Sequence, residues 1–356
     1  MTLGAGTVGL GATGTHPSMK LLRGIATQLG TLCLTILGLL FVTFFIGRVV
    51  PIDPVLAIAG DRATPELVAK IRLELGLDLP LYQQFWNYLV KIAHGDLGNS
   101  VLTAKPIIED IATYFPATIE LAVVGTALGV LIGVPLGVIS AARQGRMIDH
   151  VVRVVALAGY SVPVFWLGLV GLLVFYVKLD WVSGPGRIDA VYEYIVEPRT
   201  GFMLIDCILA GDWEAVKNAI SHFVLPALIL GYYSMAYITR MTRSFMLEQL
   251  TQEYIVTARV KGVSERAIVW RHAFGNIRVP LITVIALSFA HLLEGTVLTE
   301  TVFAWPGIGL YITHSLFGAD LNAVLGGTIV VGISFVVLNL ISDAIYALLD
   351  PRARAA

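Results

Sequence analysis

The segment ATIELAVVGTALGVLIGVPLGVISA, Ala117 to Ala141, holds a single charged side chain, Glu120. It is longer than the roughly 20 apolar residues that carry a helix across a hydrocarbon core. It is predicted to span a membrane, and the rest of the chain is then read against lipid rather than water. Five more segments qualify: Ile25 to Ile46, Val151 to Val177, Phe223 to Thr239, Val279 to Thr299 and Ala323 to Leu349. Composition agrees. Of 356 residues, 56% are hydrophobic and 14% charged, where soluble domains carry about 25% charged residues. The fold class expected is an all-α integral membrane protein of about six transmembrane helices.

Lys and Arg give the orientation. The N-terminus, Arg143 to Arg153, Arg240 to Arg278 and the C-terminus together hold 14 basic and 6 acidic residues. The opposite set is the longer one, yet it holds 10 basic and 19 acidic residues. Positive charge is retained in the cytoplasm, so both termini are expected inside. The expected organisation is a cytoplasmic tail (1–24), a first span (25–46), an extracytoplasmic segment (47–116), a five-helix domain (117–349) and a cytoplasmic tail (350–356). The five-helix domain includes an external loop (178–222) and a cytoplasmic loop (240–278). Net charge, −1, speaks neither for nor against nucleic acid, and no such partner is expected. Cys33 lies in an apolar run and Cys207 in a polar one, so no disulfide between them is expected. The Gly- and Thr-rich start, Met1 to Pro17, lacks the basic and apolar regions of a signal peptide. It reads as a disordered tail, with Met19 an alternative start.

Several features keep two readings open. Gly125, Gly129, Gly133 and Gly137 recur every fourth residue, which lets another helix approach closely, although glycine is also frequent in membrane helices. In the first external segment, Thr64-Pro65-Glu66 reads as a helix start. Gly76 is a stop, and Pro80 opens a second helix through Phe85, Trp86, Tyr88 and Leu89. Its aromatic face suits packing on the membrane domain or meeting an external partner. The loop from Lys178 to His222 holds seven acids, Asp180, Asp189, Glu193, Glu197, Asp206, Asp212 and Glu214. It is either a solvated loop or an attractor for a cationic group. Pro163 within the third span, beside Tyr160, Ser161 and Trp166, frees a backbone carbonyl; the residues line a pathway or mark a kink. His291 and Glu294 share a face of the fifth span. Intramembrane ionisable groups are costly and usually face a cavity, so the pair is a pathway candidate or a polar contact between helices. Asp343 is read as structural.

The loop between spans four and five is the most informative. Glu248 through Arg259 has no Gly or Pro and is predicted helical, with Leu247, Leu250, Tyr254, Ile255 and Ala258 at helical spacing. Gly262 supplies a turn, and a second short helix is expected from Glu265 to Phe274. Such a helix-turn-helix fits a groove on another protein, unless the loop serves topology alone. Glu253, Tyr254, Ala258, Arg259, Lys261 and Gly262, with His272, Asn276 and Pro280 following, resemble the EAA loop of ABC importer permeases. Thr257-Ala258 stands where the older pattern has two alanines. Pro51-Ile52-Asp53-Pro54, Gly95-Asp96-Leu97-Gly98-Asn99-Ser100, Thr299-Glu300-Thr301-Val302-Phe303-Ala304-Trp305-Pro306-Gly307-Ile308-Gly309 and Asp350-Pro351-Arg352 resemble signatures of the B-type permeases of the dipeptide, oligopeptide and nickel group. Within that group, the stretches Gly159 to Trp166, Thr200 to Asp206 and Arg240 to Arg243 are similar to dipeptide permeases. The resemblance covers about Leu21 to Arg354.

The resemblance implies the type I ABC importer (MetI-like) permease fold in a bacterial inner membrane. It implies a second permease subunit, two cytoplasmic ABC ATPase domains docked on the coupling loops, and an extracytoplasmic peptide-binding protein. Oligopeptides, glutathione and nickel are the alternative cargoes. A P-loop needs Gly-Lys before its Ser or Thr. That dipeptide does not occur, so ATP and Mg are expected on the partners and no cofactor in this chain. His94, His150, His222, His272, His291 and His314 lie too far apart for a zinc-type pair, and no nucleophile-base pair suggests an enzyme. A lone secondary carrier would predict inverted repeats, of which the sequence gives no sign.

Overall fold

The computed structural model describes residues 17–49, 55, 64–74 and 76–349, with the side chains of 17–29, 48, 49, 74, 294, 343 and 346–349 outside that description. The tail before residue 17, Pro51-Ile52-Asp53-Pro54, Asp350-Pro351-Arg352 and the side chains of Glu294 and Asp343 therefore lie outside the described residues.

The described chain is helical. Its elements are α1 (Pro17–Val49), α2 (Pro65–Glu74), α3 (Leu81–Ala93), α4 (Ile107–Ala142), α5 (Met147–Ser161) and α6 (Val164–Lys178). After them come α7 (Met203–Ala210), α8 (Trp213–Leu250) and α9 (Glu253–Val260). Next is α10, which runs continuously through Glu265–Ala267, Ile268–Ala273 and Phe274–Phe303. The last two are α11 (Ile308–Phe317) and α12 (Leu321–Leu349). Five of the described helices are long and apolar enough to cross a membrane, and the bent pair α5–α6 makes a sixth candidate.

α4 and α8 form the central pair, and the glycine series is its seam. A Cβ on Gly125 would lie 3.0 Å from the Leu230 Cβ, one on Gly133 3.0 Å from the Met235 carbonyl oxygen, and one on Gly137 2.6 Å from the Thr242 Cβ. Gly129 meets Ser234. Lipid tails are as apolar as leucine, so close backbone approach and dispersion, rather than hydrophobicity, hold such helices together. Close packing is therefore the reading that holds. Around this seam a buried cluster of Leu121, Phe223, Leu230, Leu292, Phe303 and Trp305 ties α4, α8 and α10 together.

Two expectations are corrected, and a kink is found where the sequence left one open. The third span is not one rod: α5 and α6 meet at 97° across Val162 and Pro163, because proline clashes with the preceding turn and drives the residue before it to extended backbone. The helix expected through Glu248 to Arg259 is interrupted at Thr251 and Gln252, where the Thr251 hydroxyl donates to the Glu248 carbonyl at 2.8 Å and competes with the next turn. The short helix expected at Glu265 to Phe274 is the first part of α10, π-wound over Ile268–Ala273.

The segments between the first spans and between α6 and α8 are fastened to the spans. Phe85 and Tyr88 of α3 pack on Phe44 at 5.2 and 5.6 Å, and Phe85 on Phe41 at 5.7 Å, so that face rests on α1, while Trp86 points outward, 66% exposed. In the Gly95–Ser100 signature, Asp96 accepts from the Gly98 amide at 2.8 Å, and the Ser100 hydroxyl donates to Asp320 at 2.6 Å. Fully buried Asp320 also accepts from the amides of Val101 and Ala323, joining this loop to the start of α12. The loop between α6 and α8 is no loose solvated excursion. It closes on a small core of Ile188, Val196, Cys207, Val216 and Ala219. Arg187 forms a buried ion pair with Glu120 of α4 and donates to the Gly201 carbonyl at 2.8 Å. Three of its acids work inside the fold: Asp206 accepts from Thr200 and Gly201, Asp212 caps α8, and Asp189 pairs with His222 and Asn218.

Candidate functional site

The loop between α8 and α10 is built around α9. Glu253 opens the helix, placing a carboxylate where the backbone dipole is positive. Its end is a Schellman motif: the Gly262 amide donates to the Arg259 carbonyl at 2.9 Å and the Val263 amide to the Ala258 carbonyl at 3.1 Å. Gly262 stands at φ +79°, with open space where a side chain would project. Glycine is required there for its backbone angle, not for room. Across the turn the Arg259 guanidinium donates to Glu265 at 2.7 and 3.3 Å. Both groups are largely exposed, so the pair orders the turn more than it stabilises the fold.

One face of α9 is anchored and the other is free. Ile255 is fully buried in a cluster with Val138 and Ala141 of α4, Met246 of α8, and Ile268, Ala273 and Ile277 of α10. Ala258 packs against the same cluster. Glu253, Tyr254, Arg259, Lys261 and Gly262 face solvent, and His272 is half-buried on α10. The exposed face of α9 is thus tied through Ile255 to the ends of α4, α8 and α10.

Beside this loop is a latch that the sequence reading passed over. Asp149, at the start of α5, is buried among the basic residues of its loop. It accepts from Arg243 Nε at 2.7 Å, Arg243 Nη2 at 2.9 Å, the Ser140 hydroxyl at 2.6 Å and the Gly145 amide at 2.9 Å. The end of α4, the start of α5 and the last third of α8 thus share one charge pair. The available signal was a lone acid in an otherwise basic connection; its partner, 94 residues away, had no signal in spacing.

The pathway candidates divide. Tyr160 at the end of α5 is half-exposed and stacks on Tyr233 with ring centres 6.1 Å apart. Arg240 lies over Tyr160 at 4.7 Å and over Tyr237 at 5.8 Å, and Tyr237 meets His291 edge-on at 6.3 Å. Tyr160 and His291 are thus joined through Tyr237 and Arg240. Ser161 is exposed at the bend, and Trp166, 50% exposed, lies beyond it on α6. Glu294 stands on α10 one turn from His291. Among the described residues, no group of three His, Cys, Asp or Glu side chains is placed to hold a metal ion.

At the far end of α10, the Thr299–Gly309 signature forms a buried carboxylate bracket. Glu300 accepts from the Thr118 hydroxyl at 2.7 Å and from the amides of Gly309 and Leu310 at 2.7 and 3.0 Å, at the start of α11. The Trp305 indole donates to the Ala117 carbonyl at 3.0 Å. A carboxylate there satisfies amides that a helix start leaves without partners. Outside the spans, burial, with the Asp206 carboxylate adding to it, raises the Cys207 thiol above its ordinary range.

Two family models match. Residues 133–355 match the binding-protein-dependent transport system inner membrane component, and residues 21–122 its N-terminal component. The chain is 44% identical over 323 residues to a probable D,D-dipeptide transport system permease protein of Escherichia coli strain K12, covering 90% of this chain and 94% of that one. It is 41% identical over 335 residues to a di/tripeptide transport system permease protein of Pseudomonas aeruginosa, covering 94% and 99%. It is 39% identical over 338 residues to the dipeptide transport system permease protein of Escherichia coli strain K12, covering 94% and 99%. With its several membrane-crossing helices, the chain belongs to the family of binding-protein-dependent transport system inner membrane components, as a multi-pass permease subunit of an ABC importer.

Proposed function

We propose that this permease forms half of a translocation pathway for dipeptides or short peptides. A second permease subunit supplies the other half, and an extracytoplasmic peptide-binding protein delivers the cargo. Two cytoplasmic ABC ATPase domains drive the cycle, one on each permease, and bind the ATP and Mg. Both termini lie in the cytoplasm. The chain catalyses no covalent step; its work is mechanical. ATP-driven closure of the ATPases displaces α9, and the Ile255 cluster passes that displacement to α4, α8 and α10. The pathway then switches between outward and inward access. Catalysis of transport by this route needs a stiff link, and the link is the packed core beneath α9.

The observation that carries this reading is the half-buried coupling helix. Its Glu253–Gly262 face is charged and open, while its other side is locked into three spans. The transport names of relatives 39 to 44% identical over most of the chain support the peptide cargo. The test is purification of the tagged chain from membranes that co-express the neighbouring transport genes. An ATPase is expected to copurify with wild type and to be lost when Tyr254→Asp and Lys261→Glu are combined. Transport activity of the purified chain without any ATPase would overturn the reading in favour of a stand-alone carrier.

A further inference from the structure

A cavity of about 510 Å³ opens between the inner halves of α5 and α8, lined among others by His150, Arg153, Tyr160, Arg240 and Arg243. Its cations are not equivalent. Arg243 is neutralised by Asp149. Arg153 and Arg240 are exposed, and among the described residues neither has a carboxylate partner. The charge count places Arg240 at the cytoplasmic edge of span four; the helix pairing sets it back from the end of α4. Gly133 and Gly137 of α4 face Ile238 and Thr242, which sets Arg240 level with residues between them, about 10 Å from the cytoplasmic end of α4 at 1.5 Å per residue. A guanidinium at that depth is costly against lipid tails and belongs to a protein- or water-lined cavity.

The surroundings of Arg240 are specific. Its guanidinium lies over the rings of Tyr160 and Tyr237. Stacking restrains the long side chain and leaves the N–H edge of its plane free. That edge is the part of arginine that binds a planar carboxylate through two parallel hydrogen bonds. The tyrosine rings offer apolar walls alongside it. A dipeptide carries one C-terminal carboxylate whatever its side chains, so a single fixed guanidinium serves every member of the class.

We infer that Arg240, held by Tyr160 and Tyr237, is a subsite for the C-terminal carboxylate of the peptide in the inner half of the pathway, with Arg153 as the next cation toward the cytoplasm. This deepens the peptide-importer reading and rests on it. The subsite is one of passage: it must attract the carboxylate and also release it, and a second exposed cation nearer the exit provides the onward step.

The experiment uses the whole importer in proteoliposomes, with binding protein, ATP and labelled Ala-Ala. Two measurements are made together, peptide moved and ATP hydrolysed. Arg240→Gln is expected to lower the peptide moved per ATP about tenfold, the worth of one charge-assisted hydrogen-bond pair, and Arg240→Lys to lower it less. The result should be the same in neutral phosphatidylcholine and in vesicles containing phosphatidylglycerol. A wild-type ratio in Arg240→Gln overturns the subsite. So does a fall in transport and hydrolysis in strict proportion, which marks a structural role, and so does a defect confined to anionic vesicles, which marks a lipid-headgroup site. Failure of wild type to move any peptide instead removes the importer reading itself, and the subsite with it.

Discussion

Asp149 and Arg243 stand 94 residues apart in the chain and meet through two hydrogen bonds, 2.7 and 2.9 Å long, with Asp149 almost wholly buried. The pair fixes the start of α5 to α8 beside the cluster that holds α9. Removing one partner of a buried pair leaves the other charge unmatched, at a cost on the order of 3 kcal/mol. Arg243→Gln should therefore lower the thermal midpoint of the detergent-purified importer clearly. Arg243→Gln with Asp149→Asn should lose less than the sum of the single variants, and strict additivity would show that the pair is not coupled.

The α4–α8 seam makes a second prediction. A side chain at Gly137 must displace Thr242 and the Thr239 carbonyl. Overpacking of this kind costs roughly 1–3 kcal/mol. Gly137→Leu should reduce the amount of folded permease recovered from membranes, measured by size-exclusion chromatography. Recovery at the wild-type level would mean that the two helices do not pack through their glycines in the assembled protein.

How much of this was legible beforehand depends on the range of each signal. Long apolar runs located the spans, because a membrane imposes length and hydrophobicity locally. The glycine period marked a packing face, and Thr64, Pro65 and Gly76 marked the ends of α2. The 97° bend at Pro163 was legible only as a choice between a kink and a lining position, since proline specifies a break but not its angle. The end of α8 at Leu250 was missed because nothing between Glu248 and Arg259 forbids a helix; burial of Ile255 against α4 and α10 is a tertiary effect. The Asp149–Arg243 latch, the Glu300 bracket and the contact of Arg240 with Tyr160 join distant segments, and periodicity carries no information about such pairs.

Membrane sidedness is testable with single cysteines. Tyr194 is 91% exposed in the loop before α8, and Gln144 is exposed between α4 and α5. In a background with Cys33→Ser, a membrane-impermeant maleimide should label Tyr194→Cys in intact spheroplasts and Gln144→Cys only after permeabilisation. The reverse pattern would invert the orientation. Native Cys207 should stay unlabelled until the protein is denatured, because it is fully buried and its thiol is raised above its ordinary range.

The turn after α9 depends on a left-handed residue. Replacing Gly262 by alanine meets no neighbour, so the penalty is conformational, about 1 kcal/mol. Gly262→Asn should be milder than Gly262→Val, since asparagine tolerates this region better than a β-branched residue. The order of uptake rates should be Gly, Asn, Ala, Val. An order that follows side-chain volume instead would point to crowding against the ATPase.

The most direct measurement is uptake of a labelled dipeptide by cells lacking their own peptide importers and expressing the full set of neighbouring transport genes, with wild type compared to Gly262→Asp at equal membrane levels. Import by wild type and its loss in Gly262→Asp, whose added carboxylate projects into the open space proposed for the ATPase, with the ATPase still able to hydrolyse ATP on its own, is the predicted result. Equal import by both would contradict coupling through α9, and no dipeptide import by wild type would contradict the cargo.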